Sequence, residues 1–174
     1  MRNDLRAFEL LVKQYERLVF HVVGRLVHHQ ADTQDICQEV FIKVNRNLSQ
    51  FEFKSKLSTW IARIAYLVAI NYLKKYRKIN FNEFSEEMEN YHFTDENPEK
   101  LTEKKDTANY VNQLIDQMPE QYRIVLTLYH LNEFSYQEIE DITGMPEGTI
   151  KSYLFRGRKL LKERLEIYLK KEIS

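Results

Sequence analysis

The segment SYQEIEDITGMPEGTIKSYLFRGRK, Ser135–Lys159, decides how this chain is read. It has the grammar of a short helix, a tight turn and a basic helix. Ser135 and Glu138 stand at the spacing of a capping box, in which each side chain satisfies a backbone N–H at the start of a helix carrying Ile139 and Ile142. Gly144 tolerates the left-handed conformation that ends helices, while Pro146 fits the first turn of a new helix and cannot continue the old one. Beyond the turn, Ile150, Leu154, Gly157, Leu161 and Leu165 recur every three or four residues and stack on one buried face, where the glycine lets another helix approach closely. The other side presents Lys151, Ser152, Phe155, Arg156, Lys159 and Lys162, side chains suited to the floor and phosphate walls of a DNA major groove. A solvated basic face on an ordinary helical hairpin carries similar cations. The capped helix, glycine turn and basic helix together point to a DNA-binding helix-turn-helix.

Working outward, the 174 residues suffice for one domain or two small ones, with apolar (43%) and charged (30%) fractions typical of globular chains. Four glycines, three prolines and no hairpin dipeptide make an all-α fold the economical expectation. There is no run of eighteen apolar residues, and the N-terminal Met-Arg-Asn-Asp carries no apolar signal core, so a cytoplasmic location is expected. The single cysteine, Cys37, reads as a small buried residue. Net charge is zero but strongly segregated. Residues 1–78 hold 14 Lys+Arg against 7 Asp+Glu, residues 79–105 hold 3 against 8, and residues 106–174 hold 9 against 11; within the last, 144–171 holds 8 against 3. Two basic surfaces flank an acidic middle.

At the N-terminal end, Leu5, Phe8, Leu11, Tyr15, Leu18, Val22 and Leu26 step by threes and fours, which predicts a helix over about 5–27. Asp32 reads as the N-cap of a second helix reaching about Leu48, burying Ile36, Cys37, Val40, Phe41 and Val44 and showing Asp35, Gln38, Glu39 and Lys43 elsewhere. His28, Asp32, Asp35 and Glu39 would align on one continuous helix, but an Asp32 cap breaks it where a metal site would need continuity, so a solvated or partner-docking acidic face is expected instead, with no metal and no cofactor. In the loop 49–57, Phe51 and Phe53 interleave with Lys54 and Lys56, a composition suited to unstacked bases and their phosphates. Ser55 reads as the cap of a third helix over about 56–77, with Ile61, Ile64, Ala65, Val68, Tyr72 and Tyr76 inside and Arg63, Lys74, Arg77 and Lys78 outside. Residues 79–105 lose periodicity and contain Asn97-Pro98, which reads as a flexible acidic linker. Its Phe81, Phe84, Tyr91 and Phe93 suggest a tether that orders against a partner. Helical pattern resumes near Asp106 with Tyr110, Val111, Leu114 and Ile115, breaks at Pro119, and runs again over Glu120–Leu131. The expectation is two small helical domains, three helices in 1–78 and four in 106–174, joined by the linker 79–105.

Four stretches in this order carry a resemblance: DTQDICQEVFIKV (32–44), LSTWIARIA (57–65), MPEQYRIVL (118–126) and Phe134–Leu161. Over nearly its whole length the chain resembles the extracytoplasmic-function (ECF) group of bacterial RNA polymerase sigma factors. That resemblance implies an initiation factor with no catalytic chemistry and no small-molecule substrate. Asp35, Gln38, Glu39, Phe41 and Lys43 would dock on core RNA polymerase. Phe51, Phe53, Lys54, Lys56, Trp60, Arg63, Asn71, Lys74 and Arg77 would engage the minus-ten element of promoter DNA, where stacking and a basic groove favour an unpaired strand. Thr149, Lys151, Ser152, Phe155 and Arg156 would face the minus-thirty-five element, with Arg158 and Lys159 nearer its backbone. By family habit an anti-sigma factor, membrane-bound in some pairings, would cover these surfaces. The chain departs from the family pattern at Asn45, where an aromatic is common, at Leu67 for Asn, at Tyr153 for Arg, and at Glu52-Phe53 for Arg-Gly.

Two other readings make different demands. A dimeric helix-turn-helix regulator would bind free duplex DNA unaided and needs a dimerisation seam, of which the sequence gives no heptad sign. A helical metalloenzyme at the His28 cluster would be revealed by metal analysis.

Overall fold

The computed structural model describes residues 5–27, 29–77 and 107–173; His28, Lys78 and the linker expected over 79–105 lie outside them. All the regular structure described is helical. α1 spans Leu5–Leu26, as its three-and-four spacing requires, and buries Val19, Val22, Val23 and Leu26. α2 spans Gln30–Asn47 and ends in a short 3-10 turn, Leu48–Gln50. Asp32 is not its N-cap. His29 holds that position without a side-chain bond, and Asp32 lies in the first turn, where a carboxylate suits the positive end of the helix dipole. The buried Thr33 hydroxyl ties the helix start to the carbonyls of Val27 (3.1 Å) and His29 (3.0 Å), which lets helix begin before the aspartate.

α3 spans Leu57–Arg77. Ser55 does not cap it: its hydroxyl donates to the Lys56 carbonyl, and that carbonyl also accepts from the Trp60 N–H. Ile61, Ala65 and Val68 are buried as expected, with Ala62, Ala69 and Leu73 beside them, but Tyr76 is exposed and meets the Tyr72 ring at a tilt instead. Leu73 is buried, whereas Tyr76 lies three residues further on, next to the helix end at Arg77, and is left to solvent. α1, α2 and α3 all pack on one another.

Cys37 sits half-buried on α2, and burial pushes its thiol from the ordinary 9.0 up to about 11. A rise of that size lowers the thiolate fraction about 100-fold at neutral pH. Alkylation by iodoacetamide, followed by mass, is therefore expected to run about 100-fold slower in the native chain than in the urea-unfolded one.

The C-terminal unit contains α4 (Thr107–Gln117), α5 (Glu120–Leu126), α6 (Tyr136–Thr143) and α7 (Glu147–Ile173). The helix expected through Leu131 changes character. Thr127–Leu131 is a π-helical turn, in which the Asn132 N–H reaches back to the Thr127 carbonyl at 3.1 Å. Tyr129 on this widened turn stacks on Tyr136 of α6 at 5.2 Å. Arg123 is wholly buried within α5; one guanidinium nitrogen donates to the Asp116 carbonyl at 3.1 Å and another pairs with Glu120 at 3.3 Å. It thus satisfies a terminal carbonyl of α4 where the dipole is negative. Tyr153, at the position where the family often carries Arg, is also buried and meets Tyr122 edge-on at 5.3 Å.

The two units pack together, α3 against α6 and α1 against α5. Arg25 of α1 donates to Asp116 (2.5 Å) and Asn112 (2.6 Å) of α4.

Candidate nucleic-acid interface

The helix-turn-helix forms as its spacing requires. The Ser135 N–H donates to a Glu138 carboxylate oxygen at 2.9 Å and the Glu138 N–H to the Ser135 hydroxyl at 3.2 Å, completing the capping box. Gly144 takes φ +75° and its N–H closes on the Glu140 carbonyl. The Thr143 hydroxyl braces the turn by donating to the Ile139 carbonyl and accepting from the Met145 N–H. α7 starts immediately after Pro146, with Ile150 and Leu154 buried against the preceding helices.

These constraints turn Lys151, Phe155, Lys159 and Lys162 outward, with Thr149, Ser152 and Arg156 half-buried beside them. Phe155 is 70% exposed, a large aromatic surrounded by cations and left to solvent. Lys151 is steadied by Glu147 at 2.5 Å and by the Tyr136 ring at 5.3 Å. Arg158 does not join this face. Its Nε donates to His130 Nε2 at 3.0 Å and its guanidinium lies over the Tyr129 ring at 5.0 Å. Burial first, and then the Arg158 charge, push the His130 pKa down, which suits an imidazole nitrogen acting as acceptor.

On the N-terminal unit the loop before α3 builds an aromatic row. Phe51 and Phe53 have ring centroids 4.8 Å apart, and Phe51 and Trp60 5.4 Å. Phe53 is 85% exposed and held at φ +56°, a left-handed conformation that favours glycine, the residue the family often carries there. Lys54 pairs with Glu52. Along α3, Arg63, Leu67, Asn71 and Lys74 are exposed and spaced by fours and threes, forming one outer stripe that Arg77 continues in sequence. Two of the cations are engaged: Lys56 pairs with Glu138 at 3.0 Å, and Arg63 donates to the Asp141 carbonyl at 2.6 Å.

On α2 the exposed stripe runs through Asp35, Gln38 and Glu39, with Lys43 held to Glu39 at 2.8 Å. Phe41 lies off this stripe and packs against the core. Ile42 occupies the stripe instead, 50% exposed one turn beyond Gln38 and Glu39. Sequence reading missed it, although 35, 38, 39 and 42 keep three-and-four spacing. Of the residues weighed for a metal, Asp32 sits 3.5 Å from His29, and no group of three or more His, Cys, Asp or Glu is placed to hold a metal among the described residues. No helix among them is long and apolar enough to cross a membrane.

Comparison with known proteins gives this geometry its context. Residues 11–79 match Sigma-70 region 2 and residues 108–161 match Sigma-70, region 4. The chain is 34% identical over 176 residues to the RNA polymerase sigma-H factor of Pseudomonas aeruginosa, covering 97% of this chain and 91% of that one. It is 34% identical over 172 residues to the ECF RNA polymerase sigma-E factor of Escherichia coli K12, covering 95% and 90%. In fold it is similar to the sigma factor RpoE of Bartonella quintana, solved in complex with the anti-sigma factor NepR (TM-score 0.69, 18% identity, 93% of this chain and 98% of that one). It is also similar to CnrH, solved with the cytosolic domain of CnrY (TM-score 0.63, 16% identity, 95% and 91%). With both conserved regions matched in order and a relative at 34% identity across almost the whole length, the chain belongs to the sigma-70 family of RNA polymerase sigma factors, in its ECF group.

Proposed function

We propose that this chain joins core RNA polymerase through the α2 stripe, reads a bipartite promoter with its two units, and captures the minus-ten region as an unpaired strand. The observation that carries this reading is the aromatic row Phe53, Phe51 and Trp60, whose outermost ring is solvent-exposed beside the α3 stripe. An exposed aromatic platform favours a splayed base, which a reader of closed duplex has no use for. The Lys151, Phe155 and Lys159 face supplies the second contact, with Phe155 suited to thymine methyls in a major groove. Tethering two weak DNA contacts to one polymerase raises their joint strength beyond either alone. In this reading residues 1–78 and 106–174 are the two functional domains, the chain performs no catalytic step, and it acts in the cytoplasm with the polymerase.

The test is transcription in vitro with purified bacterial core polymerase on fragments of the source genome. Discrete transcripts that need this chain support the reading, and specific duplex binding without polymerase would replace it with the dimeric regulator. Ile42 offers a sharper check. Ile42→Asp is expected to weaken core binding about tenfold or more, as for a central apolar contact in an interface, while leaving the fold intact because half of the side chain is already solvated. Competition for core against the parent chain measures it.

We further propose an anti-sigma partner, since the Bartonella quintana protein of similar fold was solved with one. Affinity capture from the source cells should bring down a second protein besides polymerase subunits; capture of polymerase alone would count against it.

A further inference from the structure

A cavity of about 470 Å³ lies where α1 and the start of α2 meet α4 and the π-helical turn. None of its lining residues belongs to the surfaces assigned above to polymerase or DNA. Arg17, His21 and, one turn on, Gly24 and Arg25 line it from a single face of α1. Gly24 keeps that face open. Glycine is a poor helix former, and neither crowding nor a positive φ calls for one here: an added Cβ would lie at ordinary contact distance, 3.9 Å from Thr33 Cγ2 and 4.0 Å from Phe20 Cε1. What the missing side chain leaves is room in the cavity.

The polar groups on its walls are unequal. Arg25 is engaged by Asp116 at 2.5 Å and Asn112 at 2.6 Å, which also meets the charge of the one carboxylate in the lining. Arg17 is exposed and makes no ion pair with a described residue, so its charge is available. His21 lies near both arginines. Burial first, then Arg17 and Arg25, push its pKa down, and at neutral pH the ring is neutral with a single N–H. Its Nδ1 is sealed from solvent and has no hydrogen-bond partner. A buried N–H without an acceptor is rarer than an unfilled lone pair, so the proton belongs on Nε2, a donor one helical turn from Arg17. Phe20 and Leu131, each about half exposed, add apolar surface to the lining.

An available positive charge, an N–H donor and an exposed aromatic ring match a ligand that carries an anionic group on a planar body. The volume, about 470 Å³, falls in the range of small-molecule sites, about 300–1,000 Å³. We propose that this cavity binds a mononucleotide: Arg17 and His21 hold its phosphates, its base lies against Phe20 and Leu131, and the Gln30 and Asn112 amides reach its polar edges. Binding there needs neither polymerase nor DNA, so the site stands apart from the sigma reading given above.

The experiment is calorimetric titration of the full-length chain with adenosine diphosphate, adenosine and inorganic phosphate. The diphosphate is expected to bind at least about tenfold more tightly than either fragment, because adenosine lacks the charge-assisted bonds and phosphate lacks the ring contact. Three variants follow. R17A/H21A removes the phosphate contacts and should weaken binding of the diphosphate about tenfold or more. K75A removes the same single charge from an exposed lysine of α3 outside the cavity, and should change binding by at most about twofold. G24L fills the cavity from its α1 wall. Binding should fall about tenfold or more, while the thermal midpoint without ligand stays at or above that of the parent, since leucine is the better helix former. If G24L does not fold, R17A/H21A decides alone, because both of its side chains are at least partly solvated. Absence of saturable binding, undiminished binding in R17A/H21A, or equal losses in that variant and K75A would overturn the proposal. Adenosine or inorganic phosphate binding as tightly as the diphosphate would also overturn it, marking an adventitious contact only. Core-dependent transcription by the parent tests the sigma reading independently, so failure of one is distinguishable from failure of the other.

Discussion

Phe53→Gly is expected to slow promoter opening about 5- to 150-fold while leaving stability within about 1 kcal/mol of the parent chain. The rate estimate comes from stacking, which contributes about 1–3 kcal/mol for each base held on an aromatic side chain. The stability estimate is a near-cancellation. At φ +56° a residue with a Cβ carries a strain of about 1–2 kcal/mol, which glycine relieves. Against that, glycine loses about 0.5–1 kcal/mol more chain entropy on folding, and the Phe51 ring contact at 4.8 Å, worth about 0.5–1.5 kcal/mol, is lost. Little burial is given up because the ring is already 85% exposed. Permanganate reactivity of thymines in the minus-ten region measures the first quantity, and thermal unfolding measures the second. Opening at the parental rate would mean that the ring holds no base. Phe53 is the cleaner position to change, because Phe51 also leans on Trp60 and its loss would disturb the bundle.

The largest stability effect is expected where α7 crosses α5. A Cβ added at Gly157 would lie 3.1 Å from Leu126 Cδ1 and 3.4 Å from Cγ, and Leu126 is itself almost completely buried. Gly157→Ala should be close to neutral, since about 1 kcal/mol of helix propensity is gained against a contact that the leucine end can partly accommodate. Gly157→Val adds two more methyl groups with nowhere to go and is expected to cost about 1–3 kcal/mol by overpacking. Leu126→Ala leaves the opposite defect, a void costing about 2–5 kcal/mol. Combined, the two defects compensate, so the double variant should be more stable than the sum of the single changes by at least about 1 kcal/mol. Urea unfolding of the parent, Gly157→Val, Leu126→Ala and the double variant measures the coupling; strict additivity would show that the helices do not meet at this pair.

Where the chain states its own local geometry, structure followed directly. The capping box at Ser135 and Glu138, the left-handed Gly144 and the inner stripes of α1 beyond Leu5 and of α7 are each fixed by relations within a few residues along the chain. Periodicity over such distances is a property of the helix itself, which is why it survives folding unchanged. The readings that changed were of another kind. Asp32 and Ser55 are competent caps by residue type, but Thr33 ties α2 to the end of α1 and moves its start upstream, while Lys56 takes the place ahead of α3. Phe41 reads from its spacing as buried and does pack against the core; it is the resemblance that places it in the docking set, where Ile42 is the exposed apolar residue.

Sequence by itself thus determined seven helical segments, the helix-turn-helix, the segregation of charge and the family. Tertiary structure decided which of the cations are available. Lys56 and Arg63 look as free in the sequence as Lys74, and only the packing of α6 on α3 brings Glu138 and Asp141 to them across a long stretch of chain. The contact of Tyr153 with Tyr122 and the turn of Arg158 to His130 belong to the same class. Each is set by partners distant in sequence, and pairing of that kind leaves no periodic trace along the chain, because what fixes it is the fit of whole helices against one another.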